Sequence, residues 1–178
     1  MNKFETFELH NKEILIAGFG RIGKNLIKKC LGFDMVVKVY DPFVEEKVIT
    51  DMGGQKVDNF DIALETLDFL SVHMPLNEKT KDLINFKKMK TMKKSSVIIN
   101  TARGGIVNET DLNQAINENI ILGAGLDVFS NEPINIDNPL LKNKRIVLSP
   151  HTAALTNECK IRMGKETAKN IIDFFEKK

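Results

Sequence analysis

The chain has 178 residues, enough for one domain with a substantial core and short for two. Apolar residues make up 42% and charged residues 28%, and the formal net charge of +2 is too small to indicate a nucleic acid or an anionic membrane as a partner. No apolar run suggests a signal peptide or a membrane span, and Cys30 and Cys159 lack the spacing of a metal site or disulfide framework. We therefore expect a cytoplasmic protein without a bound metal.

A glycine-rich turn follows the first predicted strand. Residues 14–17 are apolar and predict a buried strand, which leads through Gly18, Gly20 and Gly23 into a helix. The buried face of that helix is predicted to carry Ile22, Leu26, Ile27 and Cys30. Strand, glycine turn and helix form the fingerprint of a dinucleotide-binding unit. Gly18 would permit the tight turn, Gly20 the approach of a pyrophosphate and Gly23 close packing of the helix, whose N-terminus attracts phosphate.

The second predicted strand ends in an acidic residue. The apolar run 35–40 leads directly into Asp41, which is followed by Pro42. An acid at this point can accept hydrogen bonds from the adenosine ribose and would repel a 2′-phosphate, which favours NAD over NADP. Asp41 could instead be a turn carboxylate beside Pro42. Together with the three glycines, cofactor binding is the better interpretation.

The rest of the chain alternates predicted helices and strands. Residues 1–13 are a polar lead-in, with Phe4, Phe7 and Leu9 available to pack. Helices are predicted at 44–52, 60–66, 83–92, after the N-cap Asn108 and from about residue 156, and strands at 67–72, 96–100, 121–128 and 146–148. The strands are continuously apolar, as in parallel sheets covered on both faces. We predict a doubly wound parallel sheet in three α/β/α layers, with residues 1–178 forming one domain.

Ligands of such sheets bind at the carboxyl ends of the strands. The segments that follow the predicted strands are 18–23, 41–42, 73–75, 101–105, 127–132 and 149–154, and they contain Arg103, Asp127, Glu132 and His151. Each of these side chains alone could be an ordinary loop residue, but their common placement favours chemistry. Hydride transfer between a 2-hydroxy acid and a nicotinamide needs a base, a cation for the substrate carboxylate and an acid that orients the base. His151, Arg103 and Glu132 fit these three roles.

The two other histidines are interpreted differently. His73 precedes a proline-bearing turn, so we expect it to line the cofactor site without taking part in the chemistry. His10 lies in the lead-in and is predicted to be on the surface.

Five ordered motifs resemble the D-isomer-specific 2-hydroxyacid dehydrogenases, a family that includes phosphoglycerate dehydrogenase and hydroxypyruvate reductase. The motifs are Gly-Phe-Gly-Arg-Ile-Gly at 18–23, Ser-Val-His-Met-Pro-Leu at 71–76, Asn-Thr-Ala-Arg-Gly-Gly at 100–105, Gly-Leu-Asp-Val-Phe-Ser-Asn-Glu-Pro at 125–133 and Ser-Pro-His-Thr-Ala at 149–153. The resemblance extends over nearly the whole chain. It implies an NAD-dependent oxidoreductase.

The resemblance also implies a role for each matching residue. Arg103 corresponds to the arginine that binds the substrate carboxylate, His151 to the acid/base histidine and Glu132 to its partner. Glutamate at position 132, where the formate dehydrogenase branch has glutamine, favours a hydroxy-acid or keto-acid substrate. The implied cofactor contacts are Gly18, Gly20, Arg21, Ile22 and Gly23 at the pyrophosphate, Asp41 and Pro42 at the adenosine ribose, His73, Pro75 and Thr80 in the cofactor loop, Thr101, Ala102 and Arg103 near the nicotinamide ribose, Asp127 near the carboxamide, and His151 and Ala153.

The chain departs from the family pattern in one large respect. Family members carry a substrate domain, built largely from about a hundred residues before the glycine turn, that supplies the second wall of the active-site cleft. This domain is absent here, so we expect NAD binding with little turnover by the chain alone, because nothing closes the cleft. The resemblance also implies a homodimer through this domain. A non-catalytic NAD-sensing corepressor remains an alternative, and S-adenosylmethionine fits Asp41 less well than NAD does.

The resemblance does not fix the substrate. Phosphoglycerate and glycerate/hydroxypyruvate are the candidates that it offers.

Overall fold

The structure, a computed structural model, describes residues 7–176. Its strands are β1 (Glu13–Ala17), β2 (Val36–Tyr40), β3 (Gln55–Lys56), β4 (Phe69–Val72), β5 (Val97–Asn100), β6 (Gly123–Leu126) and β7 (Ile146–Leu148). Its helices are α1 (Arg21–Leu31), α2 (Glu46–Thr50), α3 (Phe60–Leu64), α4 (Phe86–Met89), α5 (Glu109–Asn117) and α6 (Asn157–Glu176), with a 3₁₀ helix at Pro139–Lys142. The two-residue strand β3 is not predicted from the sequence. Phe4 of the lead-in lies outside the described residues.

The seven strands form one parallel sheet in the order β3-β2-β1-β4-β5-β6-β7. This order confirms the predicted doubly wound class, and the direction of winding reverses between β1 and β4. Ala17, the last residue of β1, pairs with Tyr40 on one side and Val72 on the other. The residues that follow these three strands therefore meet at the crevice where nucleotides bind in such folds.

Successive residues of β1 point to opposite faces of the sheet. Ile14 and Ile16 pack into one apolar cluster with residues of α1 and α2, whereas Leu15 and Ala17 join a larger cluster with α3, α4 and α5. A parallel strand covered on both faces must be apolar at every position, which explains the unbroken apolar runs of the sequence.

The helix predicted at 83–92 is shorter than expected. Ile84 forms a parallel bridge with Val107, and its amide donates to the carbonyl of Ile106. This pairing keeps the segment extended as far as Asn85, the N-cap of α4, whose side chain accepts a hydrogen bond from the Lys88 amide. Pairing with a distant segment thus overrides the helical periodicity of the sequence.

Several apolar side chains that were expected to pack are exposed. Ile22, placed by the sequence on the buried face of α1, is 63% exposed because it lies in the first turn at the edge of the sheet. Phe7 of the lead-in is 53% exposed and Val147 of β7 76% exposed. The long helix α6 begins where the sequence predicts, yet none of its described residues is buried. No helix within residues 7–176 is both long enough and apolar enough to span a membrane.

Candidate active site

The glycine turn after β1 is shaped by two close approaches. Gly18 has a φ of 101°, and a Cβ there would lie 2.6 Å from the carbonyl oxygen of His73. A Cβ on Gly23 would lie 2.4 Å from the carbonyl oxygen of Gly18, so the helix can approach the strand only with glycine at that position. A Cβ on Gly20 would meet nothing within 4 Å. The turn is therefore tight against the protein and open beside Gly20.

The N-terminus of α1 begins at this opening. Gly20 is its N-cap residue and supplies no side-chain acceptor, and Arg21 and Ile22, the first helical residues, are exposed. The first amides of a helix have no partner within the helix and carry a partial positive charge. This donor set fits the pyrophosphate of a dinucleotide, as the sequence predicts.

The Asp41 side chain stabilises the glycine turn by a hydrogen bond. Its Oδ2 accepts a hydrogen bond of 2.8 Å from the Phe19 amide, and its Oδ1 accepts one of 2.9 Å from the amide of Phe43. The turn role that the sequence left open is thus present. A carboxylate has about four lone-pair sites, so its oxygens can also accept hydrogen bonds from ribose hydroxyls. Pro42 is exposed beside it. The residues present fit the adenosine end of NAD.

The loop after β4 lies on the other side of β1 from Asp41. The Nε2 atom of His73 lies 2.9 Å from the hydroxyl oxygen of Ser71, and burial lowers the pKa of His73. Its Nδ1 atom is buried and has no hydrogen-bond partner within residues 7–176. Farther along, the hydroxyl of Thr80 donates to the carbonyl of Pro75 at 2.7 Å and closes the loop on itself.

His151 and Glu132 form a hydrogen-bonded pair. The Nδ1 atom of His151 lies 2.7 Å from Oε2 of Glu132, and Oε1 of the same carboxylate accepts a bond of 2.9 Å from the Phe129 amide. The hydrogen bond from His151, then that from Phe129, lowers the pKa of Glu132, and nearby Arg103 adds to the effect. Nε2 of His151 has no hydrogen bond within residues 7–176, which leaves it available to exchange a proton with a substrate.

Arg103 lies on an exposed loop after β5. Its Nη1 donates to the carbonyl of Ala102 at 2.6 Å. Asn100, which is 1% exposed, accepts from the Ala102 amide at 3.1 Å and donates to the Arg103 carbonyl at 2.9 Å. Thr101 is half-buried on the same loop. No role is predicted for Asn100 from its residue type alone, although an asparagine at a strand end, directly before a candidate loop, is a usable signal.

Asp127 holds the loop that carries His151. The residue is 3% exposed, and its Oδ1 accepts bonds from the hydroxyl of Ser149 at 2.5 Å and the amide of Thr152 at 2.9 Å. Oδ2 accepts the Ala153 amide at 2.9 Å. The Asp127 carbonyl also accepts the amide of His151, whose φ is 54°. Asp127 thus constrains an unusual backbone conformation at the histidine, while its predicted contact with a carboxamide stays a prediction.

Burial alone would raise the pKa of Asp127. The hydrogen bonds from Ser149, Ala153 and Thr152, together with nearby His151, outweigh burial and lower the pKa. The carboxylate is therefore ionised at neutral pH, as an acceptor of three hydrogen bonds requires.

The chain matches one protein family over most of its length. Residues 1–153 match the family described as D-isomer specific 2-hydroxyacid dehydrogenase, NAD binding domain.

Individual relatives agree with this match. The chain is 38% identical to a glyoxylate reductase of Korarchaeum cryptofilum, over 94% of this chain and 50% of the relative. It is 37% identical to a D-3-phosphoglycerate dehydrogenase of Methanocaldococcus jannaschii, over 95% of this chain and 32% of the relative. The NAD-complexed crystal structure of a D-isomer specific 2-hydroxyacid dehydrogenase from Lactobacillus delbrueckii ssp. bulgaricus superimposes with a TM-score of 0.86 at 26% identity, covering 97% of this chain and 56% of that one. The chain thus spans about half or less of the length of these proteins.

Proposed function

Because the chain belongs to the D-isomer-specific 2-hydroxyacid dehydrogenase family, we propose that it is the NAD-binding domain of an enzyme that moves a hydride between NAD(H) and a D-2-hydroxy acid or the matching 2-keto acid. The observation that carries this proposal is the 2.7 Å contact between His151 and Glu132, at the same edge of the sheet as the glycine turn. The names of the relatives offer glyoxylate and 3-phosphoglycerate as substrate candidates. Hydroxypyruvate is a further candidate of the same chemical class.

The chain binds NAD through its glycine turn and Asp41. The first amides of α1 hold the pyrophosphate, and the Asp41 carboxylate accepts the ribose hydroxyls and disfavours a 2′-phosphate. His73, Pro75 and Thr80 line the cofactor site from the loop after β4, and Thr101, Ala102 and Asp127 lie on the nicotinamide side. When bound, NAD supplies a nicotinamide ring that accepts or returns the hydride.

The remaining roles concern the substrate and its proton. The guanidinium of Arg103 binds the substrate carboxylate and polarises the neighbouring carbonyl. Nε2 of His151 takes the hydroxyl proton during oxidation and returns it during reduction. Glu132 accepts the hydrogen bond from Nδ1, which selects the tautomer with a free Nε2 and stabilises the imidazolium that forms.

We propose that residues 1–178 are one NAD-binding domain, with 1–13 as a lead-in, and that the substrate domain lies outside this sequence. In support, α6 exposes Ile161, Ile171, Ile172 and Phe175 at 54–69%, and Ile22 and Leu76 are exposed at 63% and 47% beside the crevice. Such apolar surface is typical of a contact with another domain or subunit. We expect little turnover without the second wall of the cleft.

Cofactor binding by the wild-type chain and by Asp41→Ala tests the proposal. We expect wild type to prefer NAD over NADP, and Asp41→Ala to lose about 10- to 100-fold in NAD affinity, since a hydrogen bond to a charged group is worth about 1.5–3 kcal/mol. Asp58→Ala is the control, because the Asp58 side chain is 92% exposed on a neighbouring loop. Calorimetric titration with NAD, NADP and S-adenosylmethionine measures all three affinities. No NAD binding, or tighter binding of S-adenosylmethionine, would contradict the proposal.

Two further parts of the proposal concern the whole protein. We propose that the protein forms a homodimer through this domain, which the exposed apolar residues of α6 support. Light scattering of the chain would test this. We also keep the cytoplasmic location, supported by the unpaired state of Cys30 and Cys159. Fractionation of the source cells is the corresponding test.

A further inference from the structure

A glutamate outside the predicted site contacts the loop that carries Glu132. Oε1 of Glu109, the first residue of α5, accepts a hydrogen bond from the backbone amide of Ser130. Its Oε2 lies 3.4 Å from the side-chain amide nitrogen of Asn138, farther along the same connection. Ser130 directly follows Phe129, whose own amide binds Glu132. Two successive amides of this loop are therefore bound by two different glutamates.

Glu109 is itself firmly placed. The preceding residue, Asn108, is the N-cap of α5, and its side chain accepts a bond of 3.0 Å from the Asp111 amide. The backbone amide of Asn108 also donates to the carbonyl of Ile84, and its side-chain nitrogen donates to Asp82 at 3.0 Å. These contacts tie the start of α5 to the extended segment before α4. The backbone position of Glu109 is therefore fixed relative to the segment before α4.

The Glu132 loop lies against the Arg103 loop on another side. The backbone of Gly104 approaches so closely that a Cβ there would lie 1.9 Å from the carbonyl of Phe129. The loop thus has contacts with α5 through Glu109, with the Arg103 loop through Gly104 and with His151 through Glu132. Loss of the Glu109 contact would free one of these three attachments.

We propose that Glu109 is a positioning residue, which anchors the loop of Glu132 and through it orients the ring of His151 opposite Arg103. This inference rests on the proposed function, because it assigns Glu109 to the same site. Glu109 does not touch the reacting groups. It acts by fixing Ser130, so that the Glu132 carboxylate keeps the 2.7 Å contact that selects the Nδ1–H tautomer of His151.

Three substitutions separate anchoring from other effects of Glu109. Glu109→Gln keeps an acceptor oxygen at the same reach but removes the charge. Glu109→Asp keeps the negative charge at the start of the helix but withdraws it by one C–C bond, about 1.5 Å. Glu109→Ala removes both. Glu118→Ala is the control, since Glu118 follows the last residue of the same helix and its side chain accepts a hydrogen bond from Gln114.

The ring tautomer of His151 is the readout. The chain has three histidines, so ¹⁵N NMR of the imidazole nitrogens resolves them once His10→Gln and His73→Gln assign the other two. Spectra are taken at about pH 9, far above the usual histidine range. Glu132→Ala supplies the reference signals of an unsupported ring.

Anchoring predicts that Glu109→Ala and Glu109→Asp shift His151 from mainly Nδ1–H to mainly Nε2–H, toward the Glu132→Ala reference. Glu109→Gln and Glu118→Ala are expected to keep the wild-type signals. Wild-type signals in Glu109→Asp, or a shift in Glu109→Gln alone, would overturn the inference, and this pair decides the matter even if Glu109→Ala does not fold. NAD titration of wild type is read separately, so failure of the proposed function leaves the tautomer result interpretable.

Discussion

Replacing Asp127 by asparagine removes an acceptor that the loop of His151 depends on. The carboxylate accepts three hydrogen bonds, from the Ser149 hydroxyl and the amides of Thr152 and Ala153. The asparagine side chain would have one acceptor oxygen and one NH₂ group. With the oxygen at the Oδ1 position, the NH₂ group faces the amide of Ala153, and in the opposite orientation it faces the amide of Thr152. At least one donor therefore loses its partner in Asp127→Asn.

The size of the effect follows from these contacts. A hydrogen bond to a charged group contributes about 1.5–3 kcal/mol, and an unsatisfied buried donor costs about 1–3 kcal/mol. We expect Asp127→Asn to lower the free energy of opening the 149–153 loop by about 2–4 kcal/mol. At about 1.4 kcal/mol for each factor of ten, the amides of Thr152 and Ala153 should exchange with solvent roughly 30- to 700-fold faster. Hydrogen exchange followed by NMR measures these two amides directly.

The effect also has a defined pH dependence. Since the folded pKa of Asp127 lies below its unfolded value, the carboxylate contributes stability that is complete above the unfolded pKa and is lost as pH falls through the folded pKa. The difference between wild type and Asp127→Asn should therefore be constant near neutral pH and shrink below about pH 4. Asp137→Asn, on an exposed loop, is the control. Unchanged exchange at Thr152 and Ala153 in Asp127→Asn would refute this account of the loop.

Three further substitutions test the fold. Gly23→Ala places a Cβ 2.4 Å from a carbonyl oxygen of the glycine turn, so urea unfolding should show a loss of about 1–3 kcal/mol and NAD titration a weaker complex. Gly164→Ala in exposed α6 meets nothing within 4 Å and should raise helix stability by about 0.5–1 kcal/mol, seen by circular dichroism on heating. Burial would raise the pKa of Asp68, but hydrogen bonds from the Glu13 amide and Lys93 lower it. Asp68→Asn should therefore destabilise the chain at neutral pH in urea, with the deficit shrinking as pH falls below about 4.

The sequence predicted the local parts of the fold well. The sheet class and the start of α5 could be predicted because their signals lie in neighbouring residues. These signals are the apolar runs of β1, β2 and β4 and the N-cap residue Asn108. The two-residue β3 is too short to leave a pattern, and α4 is cut short by the pairing of Ile84 with Val107, which lies in a segment far along the chain. Distant pairing of this kind has no local signature.

In the candidate site, too, local signals could be predicted from the sequence and contacts between distant segments could not. Glu132 and His151 were expected together because both follow strands of a parallel sheet, and the structure brings them into hydrogen-bond contact. Their catalytic roles stay predictions. The side-chain contacts of Asp127 and Glu109 join residues 21 to 29 positions apart and depend on how loops fold over one another. Residue type and strand ends can locate a site, but they do not reveal which side chains hold its loops.

The two outermost strands of the sheet are very short. The strand β3 has two residues and β7 has three, so each edge offers few unpaired backbone groups to another chain. Aggregation by strand addition requires a long, flat edge, because each added strand is held by a row of backbone hydrogen bonds. The seven-stranded parallel sheet therefore exposes little backbone at its edges and is poorly suited as a template for fibril growth.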